Sequence, residues 1–186
     1  MKEQVLVTKE KKIKNSTIDQ EEHDKFYKMA EEWWDPNGKF KTLHKFNPVR
    51  IAFIREKIIT HFNINPKNKN PFNKIKLLDV GCGGGLLCEP MSKLGANVTG
   101  IDIVEKNIKT ASAHSEANNL PIKYMVNTVE DLAEKKTKYD VILNMEVIEH
   151  VSDVSLFIKS CSDLLSENGI MIFASLNRTL ISYGLA

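Results

Sequence analysis

Two groups of residues have types and spacings that could do chemistry, and the first is the run Asp79-Val80-Gly81-Cys82-Gly83-Gly84-Gly85. Glycine tolerates positive φ and lets backbone approach a ligand with no Cβ in the way, and a helix starting just after such a loop presents unpaired amides. A nucleotide-like ligand is the expected occupant. A dinucleotide fingerprint needs glycine three residues after Gly83, but that position is Leu86. The alternation Gly81, Gly83, Gly85 is instead the form of S-adenosylmethionine sites, where no pyrophosphate has to be cradled. The plainer alternative is a tight strand-to-helix turn. Asp102 closes the run Val98-Thr99-Gly100-Ile101-Asp102, about 20 residues beyond the loop, where a carboxylate can accept both ribose hydroxyls or else cap the next helix. Asp79 either orients the loop or reaches a ligand amine, and Asp140 is open between a functional and a structural role.

The second group is Glu146, Glu149 and His150, spaced i, i+3 and i+4. A helical turn there brings all three to one face, at the carboxyl edge of the sheet where α/β proteins bind ligands. A hydroxyl that is to act as a nucleophile must first be deprotonated or polarised, and one such as tyrosine's titrates near pH ~10. Three roles are open for Glu149 and His150: bases that take the proton, ligands with Glu146 for a divalent ion such as Mg2+, or helix caps and ion-pair partners.

These residues need a frame, and short β-branched runs alternating with helical stretches supply it from residue 75 onward. Strands are expected at Ile75–Val80, Asn97–Ile101, Ile122–Val126, Tyr139–Asn144 and Gly169–Leu176, with helices at Leu86–Leu94, Val104–Asn118 and Ser152–Ser166. That order predicts an α/β fold, Rossmann-like, with a mostly parallel sheet and helices on both faces. Upstream, residues 1–17 read as a polar tail, 18–62 as a helical segment and 63–74 as an Asn- and Lys-rich loop. Within 18–62, Phe26, Tyr27, Met29, Ala30, Trp33 and Trp34 recur at helical spacing until the turn Asp35-Pro36-Asn37-Gly38. A second helix is expected over Pro48–His61, capped by Asn47 with Pro48 at its first position. The chain ends ten residues after Leu176. A finished sheet of this kind carries one or two more strands, so the core over 75–186 is expected to be incomplete, its C-terminal strands absent.

A chain of 186 residues, 42% hydrophobic and 27% charged, fits one domain with a real core. The 26 Lys and Arg are offset by 24 Asp and Glu, so no basic face tracks a phosphate backbone and nucleic acid is not an expected partner. Cys82, Cys88 and Cys161 are odd in number and lack metal-ligand spacing, which suits a reduced compartment. The sequence holds no apolar run of about 18 residues and no signal peptide pattern, which points to a cytoplasmic, bacterial protein.

Trp33-Trp34-Asp35, Gly38, Phe40, Leu43-His44 and Asn47-Pro48-Val49-Arg50 are not shared by methyltransferases in general. Together with Asp79 to Gly85, Gly100-Ile101-Asp102, Met145-Glu146-Val147-Ile148-Glu149-His150 and Ser175-Leu176-Asn177-Arg178, they make the chain resemble the O-methyltransferases of ubiquinone biosynthesis. The match runs from Ile18 to Leu180. The resemblance implies a class I methyltransferase fold with an N-terminal helical lid, and S-adenosylmethionine as methyl donor. It implies donor contacts from Arg50, Gly81, Asp102 and Met145. An arginine fork suits the methionine carboxylate, and a surface salt bridge is its alternative. Met145 is placed against adenine, with core packing as its alternative. The resemblance also favours Mg2+ at Glu146, Glu149 and His150, catalysis by Glu149 and His150, and Trp33 and Trp34 closing over the donor or simply packing the core. Its implied substrates are 2-polyprenyl-6-hydroxyphenol and 3-demethylubiquinol. Peripheral contact with the inner membrane, through a segment starting just after Arg178, and with other enzymes of ubiquinone biosynthesis is implied too. Two rival expectations stand beside this one: a fragment that binds the donor without turnover, and a methyltransferase for another small phenol or carboxylic acid.

Overall fold

The computed structural model describes residues 20–175; the expected tail over 1–17 and the Leu176-Asn177-Arg178 stretch lie outside the described residues. Helix α1 (Gln20–Met29) runs into a short 3-10 turn (Ala30–Glu32), followed by α2 (Lys41–His61). The α/β part follows as β1 (Lys76–Val80), α3 (Cys88–Lys93), β2 (Asn97–Asp102), α4 (Glu105–Ala117), β3 (Lys123–Val126), α5 (Val129–Ala133), β4 (Tyr139–Met145), a 3-10 turn (Ile148–His150), α6 (Val154–Leu164) and β5 (Leu165–Ala174).

The five strands lie in the order β3-β2-β1-β4-β5, and every neighbouring pair is parallel. Parallel pairing requires crossover connections, and the helices making them cover both faces, so β1, β2 and β4 are buried almost throughout. The two-residue period of a strand then divides the core. Leu77, Val98, Val141 and Leu143 pack with Ile54 and Ile58 of α2 and Met91 of α3 on one face. Leu78, Ile101 and Ile142 pack with Leu132 of α5 and Phe157 and Leu164 of α6 on the other. Truncating one such leucine to alanine costs about 2–5 kcal/mol. The strand order reverses direction beside β1, which brings the carboxyl ends of β1, β2 and β4 around one crevice.

Two local expectations need correction. Helix α2 begins at Lys41 rather than at Pro48, which sits inside it. An internal proline leaves the carbonyl four residues earlier without its amide and costs about 3 kcal/mol. Here the turn before Pro48 is anchored from outside: the His44 ring lies 2.9 Å from the Trp33 carbonyl, and Asn47 Nδ2 donates to the Leu86 carbonyl at 2.9 Å. Asn47 therefore ties α2 to the glycine loop instead of capping a helix. The last strand begins at Leu165, four residues before the expected Gly169, because β5 carries an irregularity: its partners jump from Leu165, opposite Tyr139, to Ile170, opposite Val141.

Candidate active site

The chain leaves β1 into the glycine loop with φ of +67° at Gly81, +52° at Gly83 and +87° at Gly85. A Cβ on Gly81 would lie 2.6 Å from Val147 Cγ2, and one on Gly83 would lie 2.4 Å from the Trp33 ring. Glycine is thus required twice over, by backbone conformation and by close approach. The loop is more than a tight turn, since it lines a cavity of about 210 Å³ at the crevice.

Asp102 ends β2 and is 8% exposed. Its Oδ2 accepts the Gly83 amide at 2.9 Å. Its Oδ1 accepts the Val104 amide at 2.8 Å and Asn107 Nδ2 at 3.3 Å. Since α4 starts at Glu105 and the backbone amide bonded is that of Val104, the carboxylate joins the glycine loop to the start of α4 and meets the first helical turn through the Asn107 side chain. Burial pushes its carboxyl up, and the Val104, Gly83 and Asn107 donors pull it back. Asp79, also buried, accepts the Cys88 thiol at 3.2 Å. Burial raises its carboxyl to about 7, against the opposing charge of Arg50. Asp140 takes the structural role: it accepts the Lys76 amide at 2.9 Å and the Ser166 hydroxyl at 3.1 Å, tying β1 and β5 to β4.

Arg50 reaches the crevice from α2. Its Nη2 is 3.8 Å from Glu146 Oε1, and its Nε is buried with no hydrogen-bond partner among the described residues. Arg50, Gly81, Asp102, Met145, Glu146 and His150 all line the cavity; Glu149 does not. The helical turn expected after β4 is a short 3-10 turn that starts only at Ile148 and leaves Glu146 outside it. Glu146 is left-handed, with φ of +61°, its amide held by the Ala174 carbonyl at 2.7 Å, and only the 3-10 turn Ile148–His150 follows. This backbone turns Glu146 to Arg50 and His150 to the cavity, where Phe26 of α1 meets its ring edge-on at 5.5 Å. The three do not share one face. Among the described residues no three His, Cys, Asp or Glu side chains gather as a metal-binding group.

Asn107, Asn127 and Thr128 line the site without having been expected from the sequence. Asn107 bonds both Asp102 and Trp33, across a separation no motif encodes. Asn127 and Thr128, following β3, line the cavity, and the one hint of them in the sequence is a polar pair after a short strand. Trp34 stacks on His114 at 3.5 Å between centroids and donates its Nε1–H to the Gly84 carbonyl at 2.9 Å, while His114 meets the buried Glu89 at 2.5 Å.

Comparison with known proteins agrees with this fold. A methyltransferase domain family matches residues 78–173. The chain is 53% identical over 171 residues to the ubiquinone biosynthesis O-methyltransferase of Bartonella tribocorum, covering 92% of this chain and 69% of that protein. It is 58% identical over 168 residues to the enzyme of the same name from Pelagibacter ubique, covering 90% and 69%. In fold it is similar to the magnesium protoporphyrin IX methyltransferase from Synechocystis PCC 6803 with bound SAM, with a TM-score of 0.62 and 22% identity over 82% of this chain and 74% of that one. It is similar also to the plantazolicin methyltransferase BpumL in complex with SAH, with a TM-score of 0.58 and 23% identity over 89% and 65%. The sheet order, the glycine loop and the degree of identity to these relatives converge: the chain belongs to the ubiquinone biosynthesis O-methyltransferase family.

Proposed function

We propose that this chain methylates a phenolic oxygen of polyprenyl catechol intermediates of ubiquinone biosynthesis, with S-adenosylmethionine as donor. The observation that carries the proposal is one cavity lined by the glycine loop, by Asp102 and by Arg50, whose buried Nε lacks an acceptor. These residues fit the donor. The loop admits it close to backbone, Asp102 has an oxygen for each ribose hydroxyl, Arg50 offers its fork to the methionine carboxylate, and Met145 packs on the adenine. When bound, the donor supplies an electrophilic methyl carbon on a sulfonium.

His150 is the base. Its ring lines the same cavity, and it takes the phenol proton as the oxygen attacks the methyl carbon. The C–O bond forms as the C–S bond breaks, leaving the methyl ether and S-adenosylhomocysteine. Glu146 holds Arg50 rather than the substrate. The set Glu146, Glu149 and His150 does not fit an Mg2+ ion, because one carboxylate faces Arg50 and the other lies off the cavity, so no step is given to a metal. The N-terminal segment carrying Trp33 and Trp34 acts as a lid over the donor.

A polyprenyl tail is too long for this cavity. Phe46, Val49 and Phe53, at i, i+3 and i+7 on the outer face of α2, are 61%, 69% and 47% exposed, on the same helix that sends Leu43 and Arg50 into the cavity. They support contact with the tail or with a membrane surface. Among the described residues no helix is long and apolar enough to cross a membrane. The location proposed is the bacterial cytoplasm, with the inner membrane met through this outer face of α2.

The experiment is to incubate the chain with S-adenosylmethionine and a short-tailed polyprenyl catechol, follow the methyl ether by mass spectrometry, and measure S-adenosylhomocysteine binding by calorimetry. Turnover that depends on both substrates is the expected result. Binding without turnover would reduce this chain, which spans 69% of the length of these relatives, to a donor-binding unit; no binding would overturn the proposal entirely.

A further inference from the structure

Trp33 reaches both oxygens of Asp102, by two separate routes. Its ring, stacked on Phe40 at 3.8 Å and 8°, lies against Gly83 so closely that a Cβ there would meet it at 2.4 Å; the Gly83 amide in turn donates to Asp102 Oδ2 at 2.9 Å. Its Nε1–H donates to Asn107 Oδ1 at 2.8 Å, and Asn107 Nδ2 donates to Asp102 Oδ1 at 3.3 Å.

Asn107 is 1% exposed, so neither end of its amide has water to fall back on. An indole N–H can only donate and a carboxylate can only accept, which fixes the amide: its oxygen must face Trp33 and its NH2 must face Asp102. No other side chain of this size joins a donor to an acceptor in this way. Aspartate would set a second acceptor against Asp102, leucine would bond neither partner, and glutamine would be one methylene too long. Hydrogen bonds in series also polarise one another, so docking of the indole strengthens the bond that aims Asp102.

We infer that Asn107 is a positioning residue that couples the Trp33 lid to the donor-binding carboxylate, so that lid docking and donor binding favour each other. The inference rests on Asp102 as the ribose-binding group of the proposed function. Coupling of this kind is reciprocal: a ligand on Asp102 must tighten the segment over residues 30–44 by the factor by which that segment tightens the ligand. The bond between Thr110 Oγ1 and the Ala30 carbonyl, at 3.1 Å, and the ion pair of Lys106 with Glu31, at 2.8 Å, place the same segment on α4, the helix that carries Asn107.

The test uses the full chain and S-adenosylhomocysteine. Trp33→Phe keeps an aromatic side chain but loses the N–H donor together with part of the ring area against Gly83; Asn107→Leu keeps the volume and loses both bonds. Trp33→Phe is expected to weaken binding by about 3- to 10-fold, the worth of a buried neutral hydrogen bond, and Asn107→Leu, which also loses a bond to a carboxylate, by about 10-fold or more. The double variant is expected to be no weaker than Asn107→Leu alone within about 2-fold, because both changes cut one chain of bonds. Ligand-induced slowing of amide exchange over residues 30–44 is expected in the wild type and lost in Asn107→Leu, which a purely structural asparagine would not bring about. Unchanged affinity in Asn107→Leu, or losses that multiply in the double variant, overturns the coupling while leaving the donor site intact. Failure of the wild type to bind the ligand overturns both. If Asn107→Leu does not fold, Trp33→Phe decides alone, and wild-type affinity in it overturns the inference.

Discussion

The guanidinium of Arg50 stands 3.8 Å from the carboxylate of Glu146, joining α2 to the residue that follows β4. One carboxylate does not use the whole fork, since Nε is buried with no partner among the described residues. In the proposed function a second anion, the donor carboxylate, completes it. Lysine keeps the charge but not the planar pair of donors. Arg50→Lys is expected to weaken S-adenosylhomocysteine binding by about 10-fold and Arg50→Ala by about 100-fold, in line with charge-assisted hydrogen bonds. Equal affinity in Arg50→Lys and the wild type would show that only charge matters at this position.

Gly81 is constrained in two ways that a double substitution can separate. Alanine there meets Val147 Cγ2 at 2.6 Å and must also hold φ of +67°, a left-handed conformation that costs a residue with Cβ about 1–2 kcal/mol. Gly81→Ala is expected to lower the thermal midpoint and weaken the donor. Adding Val147→Ala relieves the contact but not the backbone, so recovery should be partial. Complete recovery in a thermal melt would place the whole cost in the contact.

The parts of this architecture visible in sequence are those set by local chemistry. Asp79 to Gly85 and Asp102 stand out because alternating glycines after a strand and a carboxylate at the next strand end suit few roles besides ligand binding. The strands are legible because buried parallel strands read as short apolar runs. The start of α2 is hidden because Pro48 argues locally for a helix boundary, while distant partners of His44 and Asn47 hold the preceding turn helical. The turn after β4 is hidden because i, i+3, i+4 spacing is also compatible with a left-handed residue and a 3-10 turn. The pairing of Trp33 with Asn107 spans 74 positions, and each residue alone reads as ordinary.

Asp79 makes stability depend on pH. Burial raises its carboxyl from 3.8 to about 7, so the folded chain keeps a proton that the unfolded chain releases. Stability from this group is full below pH ~4, falls as pH rises towards 7, and levels off above that. Asp79→Asn, which resembles the protonated acid, should remove this slope. Chemical denaturation at pH 5 and pH 8 checks it: the difference between the two pH values should shrink in the variant, by an amount on the order of a few kcal/mol at most. An unchanged difference would mean that Asp79 ionises in the fold as it does in the unfolded chain.

His150 and Glu149 are neighbours with different placements, since only the histidine lines the cavity. His150→Gln is expected to lower kcat by about 10²- to 10⁴-fold, as loss of a general base does, with the KM for the donor little changed. Glu149→Gln is expected to have a much smaller effect. A kcat in His150→Gln close to that of the wild type would move the base elsewhere.

The outer face of α2 is the remaining part with a physical consequence to check. Phe46, Val49 and Phe53 are exposed side by side on this face, and Lys57 lies 5.2 Å over the Phe53 ring, adding positive charge beside it. Burying such side chains in an interface gains about 25 cal/mol per Å² of apolar area, so removing two rings should be felt by any lipid partner. Phe46→Ser with Phe53→Ser is expected to lower co-sedimentation with anionic vesicles and to raise the KM for a long-tailed catechol. The KM for a catechol lacking the tail should stay the same, because Leu43 and Arg50, which face the cavity, are untouched. If both catechols lose affinity equally, the face serves folding of α2 rather than contact with lipid.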